Sequence, residues 1–207
     1  QNPKYDKEIS ATKNYEACLK IYNEAKESMD PEMKQKAALA LNKLADAEAK
    51  PAIENVTAGK ATNADNKLIA NMINAAFRCK KVGAKGGEDI FKNVQNYRPL
   101  MINAANNTND NDEKLMYALT YIKSAQPGDQ FAPLASFFAA YANYNKEDFA
   151  NAAKYAKTAV GDERVHAQAE QIYCMSLEKT MKTREDSLKY VEALKELDVN
   201  KYFFQIF

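Results

Sequence analysis

The chain has 207 residues, of which 46% are hydrophobic and 28% charged, so it is long enough to bury a real core. Only 6 glycines and 6 prolines are present. They are too few for the many tight turns of a β-sandwich or barrel, and the composition favours an all-α fold. The 29 basic and 28 acidic side chains are interspersed, which argues against nucleic-acid binding. No apolar run approaches the roughly 18–20 residues of a membrane span.

Helical periodicity dominates the first half of the chain. Apolar residues recur every three or four positions from Lys4 to Met29, which predicts one continuous helix. Asp30-Pro31 then predicts a cap followed by the first helical residue, and we expect this second helix to end or kink at Pro51. A third helix follows on residues 68–77. The glycines at 83–87 should break it, and they form the softest boundary within a predicted single domain.

The second half predicts helices over residues 90–102, 113–125, 131–144, 146–160, 163–181 and 183–197. The loop at 106–112 (NNTNDND) is the most polar connection, and we expect Asp112 to cap the helix that follows it. The predicted fold class is therefore all-α, an array of antiparallel helix pairs with about nine helices. One helical-repeat domain over residues 1–207 accounts for the pattern.

Two segments share a helix phrase, NYEACLKIYNEA at 14–25 and DFANAAKYAKTA at 148–159. In both, a small residue follows an aromatic one after three positions, and a second small residue follows after ten. Small residues along one stripe allow another helix to approach closely. This spacing is typical of stacked antiparallel helix pairs that bury their apolar faces against their neighbours.

The segment 133–160 resembles a tetratricopeptide repeat. Ala140, Ala152 and Ala159 stand at the small positions of that repeat, and Phe149 stands at its second-helix aromatic position. The resemblance implies a right-handed superhelix with a concave groove. The chain departs from the repeat motif at Asn143, Ala156 and Gly161-Asp162.

The amino-terminal Gln1, the composition rich in Asn, Lys and Tyr, and the degenerate repeats are similar to secreted or envelope helical-repeat proteins of Bacteroides. Because the chain begins with Gln rather than Met, we expect a mature product from which a signal peptide has been removed. This interpretation predicts a periplasmic, envelope-associated or secreted protein.

The aromatic stripe of the helix at 131–144 is the candidate binding surface. Phe137, Tyr141 and Tyr144 lie at i, i+4 and i+7, on one face of that helix. In the resemblance, these positions line the concave groove. The tyrosines and Asn145 combine apolar area with hydrogen-bonding tips, which suits contact with a peptide or a sugar. The alternative is that the stripe packs into the core.

Catalytic and metal sites have little support in the sequence. His166 is the only histidine, and no second His or Cys stands near it as a metal ligand or nucleophile, so we expect it on a salt-bridged surface. Asp110, Asp112 and Glu113 lack the spacing of a calcium loop. The three cysteines lack CxxC spacing and are expected to be small buried residues, with one disulfide as the alternative. We predict no catalytic residue, no metal and no cofactor.

The predicted function is therefore that of a non-catalytic scaffold, not an enzyme, which holds a protein or peptide partner at the cell envelope. The alternative is a small-ligand or glycan-binding accessory protein of an envelope uptake system. A protein groove should be extended and mixed in charge, whereas a sugar site should be a compact aromatic platform with polar neighbours. The aromatic tail at 201–207 is expected to cap the last helix pair or, alternatively, to dock on a partner. Partner identity and oligomeric state stay open.

Overall fold

The computed structural model describes residues 2–181 and 184–196. These residues form eleven α-helices and two short 3-10 helices, with none of them in a strand. The structure is 80% helical, so the predicted all-α class is confirmed. The tail at 201–207 and the first residue of the helix predicted at 183–197 lie outside the described residues.

The chain divides into two compact units, the first ending at Met101 and the second beginning at Ile102. The division falls inside a helix, Arg98–Asn107. The glycines at 83–87, which we expected to be the softest boundary, instead lie within the first unit. That the whole chain is one domain stays a prediction.

The first unit contains five complete helices, and a sixth crosses the division. Their bounds are α1 Asn2–Ser10, α2 Tyr15–Ala25, α3 Pro31–Thr57, α4 Asn63–Lys81, α5 Gly87–Asn93 and α6 Arg98–Asn107. Helix α3 packs on α2 and on α4. Buried side chains from all three helices form the main core of this unit, among them Cys18, Leu41 and Ala75.

The single helix predicted from Lys4 to Met29 is wrong, because the chain leaves the helix after Ser10 and enters α2 at Tyr15. The Asn14 side chain accepts a hydrogen bond from the Ala17 N–H at 2.8 Å, which caps α2. The Thr12 hydroxyl donates to the Ile9 carbonyl at 2.6 Å. Side-chain bonds of this kind offer the backbone an alternative to the helix, and apolar periodicity does not reveal them.

The Asp30 cap of α3 is confirmed, since its carboxylate accepts a hydrogen bond from the Met33 N–H at 2.8 Å. The helix does not end at Pro51, because α3 continues to Thr57, and the alternative of a kink there stays a prediction. Ala49 and Ala52 are fully buried on either side of the proline. Their packing offsets the backbone hydrogen bond that proline cannot donate.

All three cysteines are buried and free, as expected for small core residues. The Cys79 thiol donates to the Ala38 carbonyl at 3.2 Å, between α4 and α3. Burial raises the pKa of Cys79, and likewise that of Cys174, to about 11. These thiols therefore act as apolar core groups at neutral pH.

The second unit continues with α7 Asn111–Lys123, α8 Ala132–Asn145, α9 Phe149–Ala159, α10 His166–Thr180 and α11 Arg184–Lys195. Consecutive helices pack on one another from α7 to α11, and α10 also contacts α8. The core between α8, α9 and α10 is built from small side chains, with Ala140, Ala152 and Ala156 fully buried. A regular superhelix of such pairs stays a prediction.

The cap of α7 differs from the predicted one. Asp110, not Asp112, accepts the hydrogen bond from the Glu113 N–H, at 2.9 Å. The helix therefore begins at Asn111, and Asp112 is left to form an ion pair with Lys146 at the end of α8. None of the described helices is long and apolar enough to cross a membrane.

Candidate functional site

A cleft of about 270 Å³ opens beside the start of α7 and along α8 in the second unit. We call it the α7–α8 cleft. It is lined by Asn106, Asn109, Asn111, Lys114, Phe137, Phe138, Tyr141 and Asn145. Three of the four predicted binding residues, Phe137, Tyr141 and Asn145, therefore come together there.

Helix α8 positions these three side chains by its own periodicity. Phe137, Tyr141 and Asn145 follow one another at intervals of four residues, so they form a row that turns slowly around the helix. The rings of Phe137 and Tyr141 lie 6.4 Å apart between centroids, tilted by 44°. Tyr141 is 45% exposed and is one of the residues that line the cleft.

Tyr144 does not line the cleft, so the structure does not bring it together with the other three predicted binding residues, and its role in binding stays a prediction. Its ring packs edge-on against Phe149 at 5.3 Å between centroids, and it contacts the alanine core shared with α9. Each residue turns an α-helix by about 100°. Tyr144 and Asn145 therefore point about 100° apart, one towards α9 and the other towards the cleft. The stripe is part core and part cleft.

Lys114, in the first turn of α7, is the most deeply buried polar residue of the cleft lining, with only 7% of its surface exposed. Its ammonium donates a hydrogen bond to the Ala105 carbonyl in the last turn of α6, at 2.6 Å. It also lies 5.3 Å from the ring centroid of Phe138 and 5.7 Å from that of Tyr141. Such distances allow cation–π attraction. Desolvation by burial lowers the pKa of Lys114.

Side-chain amides form the polar rim of the cleft. The Asn145 amide donates to the Asn111 side-chain oxygen at 3.2 Å, which ties the end of α8 to the start of α7. Beside it, the ion pair between Lys146 and Asp112 joins the same two helix ends. Asn106 and Asn109 are exposed, so their amides are open to solvent. The rim is therefore rich in neutral groups that both donate and accept hydrogen bonds.

The catalytic and metal candidates of the sequence lie elsewhere or have structural roles. His166 is half-buried in the first turn of α10, and Glu170 one turn further on is fully buried. Both residues are therefore less exposed than the predicted surface, and neither lines the cleft. Within the part of the chain that the structure describes, no group of three or more His, Cys, Asp or Glu side chains is placed to hold a metal ion.

Comparisons of the chain with protein-family models, with curated proteins and with solved structures gave no match. The tetratricopeptide resemblance and the similarity to Bacteroides proteins stay predictions. The function is therefore argued from the chemistry of the cleft.

Sequence reasoning missed Lys114, Phe138 and the three asparagines of the α6–α7 connection as lining residues. The asparagines did carry a signal, because NNTNDND is the most polar loop of the chain. Lys114 carried none, since a lysine among charged residues at a helix start is ordinarily solvated. Its burial follows from the packing of α7 against α8 and from the position of the α6 carbonyl.

Proposed function

We propose that this protein is a non-catalytic binding protein and that its α7–α8 cleft holds a small, hydroxyl-rich ligand such as a sugar residue. The observation that carries the proposal is a half-exposed tyrosine face surrounded by four asparagines in one compact cleft.

The chemistry of the lining matches that of a sugar. The C–H face of a pyranose ring is apolar and can lie flat on an aromatic surface such as that of Tyr141. Its hydroxyl groups both donate and accept hydrogen bonds, and an asparagine amide does the same with its NH₂ and its oxygen. The aromatic rings of the cleft wall can therefore stack on the sugar, and the amides of the rim can form hydrogen bonds with its hydroxyl groups.

The size of the cleft also favours a small ligand. Ligand pockets begin at about 300 Å³, and the α7–α8 cleft has about 270 Å³. It therefore accommodates a small molecule, or the end of a longer chain whose remainder stays in solvent. An extended peptide would need a longer groove with charges of both signs, whereas Lys114 is the one charged residue among the described lining residues.

A protein or peptide partner is the second candidate, and a different surface favours it. Phe131, just before α8, is 46% exposed, and the Arg164 guanidinium lies 4.7 Å from its ring centroid. Exposed aromatic and arginine side chains are enriched at the centres of protein interfaces. A partner of this kind would contact the Phe131–Arg164 pair, and the envelope location stays part of the same hypothesis.

The test is calorimetric titration of the wild-type protein with a panel of monosaccharides and short oligosaccharides. Tyr141→Ala should weaken sugar binding by about tenfold or more, because the stacking surface is lost. Its helical circular dichroism and melting temperature should stay close to those of the wild type, since this side chain is half-exposed.

Phe131→Ala is the matched control, because it removes an aromatic side chain of nearly equal exposure, located at the start of α8 and outside the cleft lining. It should bind sugars as the wild type does. The proposal fails if the wild type binds no member of the panel, or if Tyr141→Ala binds as tightly as the wild type.

A further inference from the structure

We infer that the ligand of the α7–α8 cleft carries a carboxylate, as in an acidic sugar, and that this carboxylate pairs with Lys114. The inference deepens the proposed function of the cleft and rests on it. It follows from the hydrogen bonds and the charge partners of one buried cation in the cleft wall, Lys114.

The ammonium of Lys114 has unused hydrogen-bonding capacity. A lysine ammonium has three N–H donors, and among the described residues one of them is accounted for, by the bond to the Ala105 carbonyl. The side chain is more than nine-tenths buried, yet it lines the cleft. The inference assigns its remaining donors to a group that enters the cleft.

The positive charge of Lys114 also lacks a carboxylate counter-ion within residues 2–181 and 184–196. Its surroundings are the rings of Phe138 and Tyr141, which attract a cation but do not neutralise it. The two nearby aspartates are already engaged, Asp110 as the cap of α7 and Asp112 in its pair with Lys146. Neither of them lines the cleft.

A ligand that fills this cleft removes water from the ammonium. A neutral ligand would leave the cation further desolvated without an ionic partner, which is costly. A carboxylate would instead form a charge-assisted hydrogen bond with it, a stronger bond than one between neutral groups. The cleft therefore discriminates in favour of acidic ligands by penalising neutral ones as well as by attracting the anion.

The charge and number of the groups select a carboxylate. One lysine supplies one positive charge, which a singly charged carboxylate balances, and the remaining lining groups are neutral amides and aromatic rings. An acidic sugar offers all three complementary features, namely a carboxylate for Lys114, hydroxyl groups for the asparagines and a C–H face for Tyr141.

The experiment compares ligands that differ in the acidic group alone. Methyl glucuronide and methyl glucoside share every atom except at C6, and methyl galacturonide and methyl galactoside form a second such pair. In calorimetric titrations of the wild-type protein, the acidic member of at least one pair should bind about tenfold or more tightly than its neutral partner. Lys114→Met should reduce that ratio to about one.

Two further variants control for structure. Lys123→Met makes the same substitution at an exposed lysine in the last turn of α7, which does not line the cleft, and it should keep the wild-type ratio. Lys114→Gln removes the charge but retains a donor for the Ala105 carbonyl, so it gives the charge effect even if Lys114→Met does not fold. Circular dichroism checks the fold of each variant.

The outcomes separate the inference from the proposed function. Equal binding of acidic and neutral members by the wild type would overturn the carboxylate inference and leave the sugar site standing. A preference that survives both Lys114 substitutions would overturn the role of Lys114. Failure of every glycoside, neutral and acidic, to bind would overturn both proposals.

Discussion

Helix α8 carries small side chains on the side that faces α9 and α10, and larger ones on the side that faces the cleft. The side that faces α9 and α10 packs through alanines, with Ala140 fully buried against Ala152 and Ala156. The side that faces the cleft presents Tyr141 and Asn145, and Phe137 lies between the two sides, since it lines the cleft and also packs against the alanine core. Small side chains allow two helix backbones to pack close together. Large side chains that no other helix covers form an uneven surface with clefts between them. The tight packing at Ala140 and the proposed ligand contact at Tyr141 therefore lie about 100° apart on one helix.

This contrast has a physical consequence for substitutions. On the alanine side, a larger side chain would clash with the neighbouring helix. Removal of an aromatic ring that packs against these alanines would leave a cavity. On the cleft side, a side chain borders solvent, so its removal exposes little that was buried. We therefore expect large effects on folding from the first side and small ones from the second.

The largest effect is expected from added volume at the alanine side. Ala140→Leu should lower the free energy of unfolding by about 3 kcal/mol, because the larger side chain cannot fit between α8 and α9 without displacing one of them. Urea denaturation followed by circular dichroism measures this change.

Ala150→Leu is the matched control, since Ala150 is exposed in the first turn of α9. It should change the free energy of unfolding by less than about 0.5 kcal/mol. If Ala140→Leu were as mild as this control, the tight packing between α8 and α9 would be refuted.

Substitutions of the two tyrosines of α8 should differ in their effect on the free energy of unfolding, and both effects should be smaller than that of Ala140→Leu. Tyr144→Ala should destabilise the fold by about 2 kcal/mol, because its ring packs against Phe149 and the alanine core. Tyr141→Ala should cost less than about 1 kcal/mol, mainly its cation–π contact with Lys114. Equal losses for the two variants would contradict the division of the stripe into a core part and a cleft part.

The smallest effect is a pH dependence that arises from Lys114. Burial lowers its pKa in the folded protein from the ordinary value of 10.5. Between the lowered pKa and the unfolded value, the unfolded chain binds more protons, so the unfolding free energy contributed by this group rises with pH. The buried ammonium is thus unfavourable at neutral pH, and this penalty is relieved in alkali.

Urea denaturation of the wild type and of Lys114→Met at about pH 7.5 and about pH 10 measures this dependence. The stability of the wild type relative to the variant should increase at the higher pH. A relative stability that is flat, or that falls with pH, would refute the desolvation of this lysine.

Several elements could be predicted from the sequence because local chemistry decides them. The Asp30 cap is an example, since an aspartate before proline satisfies a helix N-terminus by itself. The predicted helix at 131–144 differs from the observed Ala132–Asn145 by one residue at each end. The predicted helix at 146–160 begins three residues too early, because the Asp148 side chain accepts a hydrogen bond from the Asn151 N–H at 3.3 Å and caps α9 at Phe149.

Other features could not be predicted from apolar periodicity, because local hydrogen bonds or tertiary packing decided them. The break at residues 11–14 arose because side-chain bonds of Thr12 and Asn14 replaced helical ones. The continuation of α3 through Pro51 arose because buried neighbours held the helix together. In the first case local hydrogen bonding prevailed over the apolar pattern, and in the second tertiary packing prevailed over a local helix breaker.

The sequence by itself determined the all-α class, the position of α8 and the presence of an aromatic row on it, because helical propensity and spacing are local properties. The tertiary structure decided which part of that row meets α9 and which part faces the cleft. It also decided that Lys114 is buried, because a side chain's exposure depends on helices distant in the sequence that pack over it. The division between core and cleft is therefore a property of the packing, and the acidic-ligand inference rests on that packing.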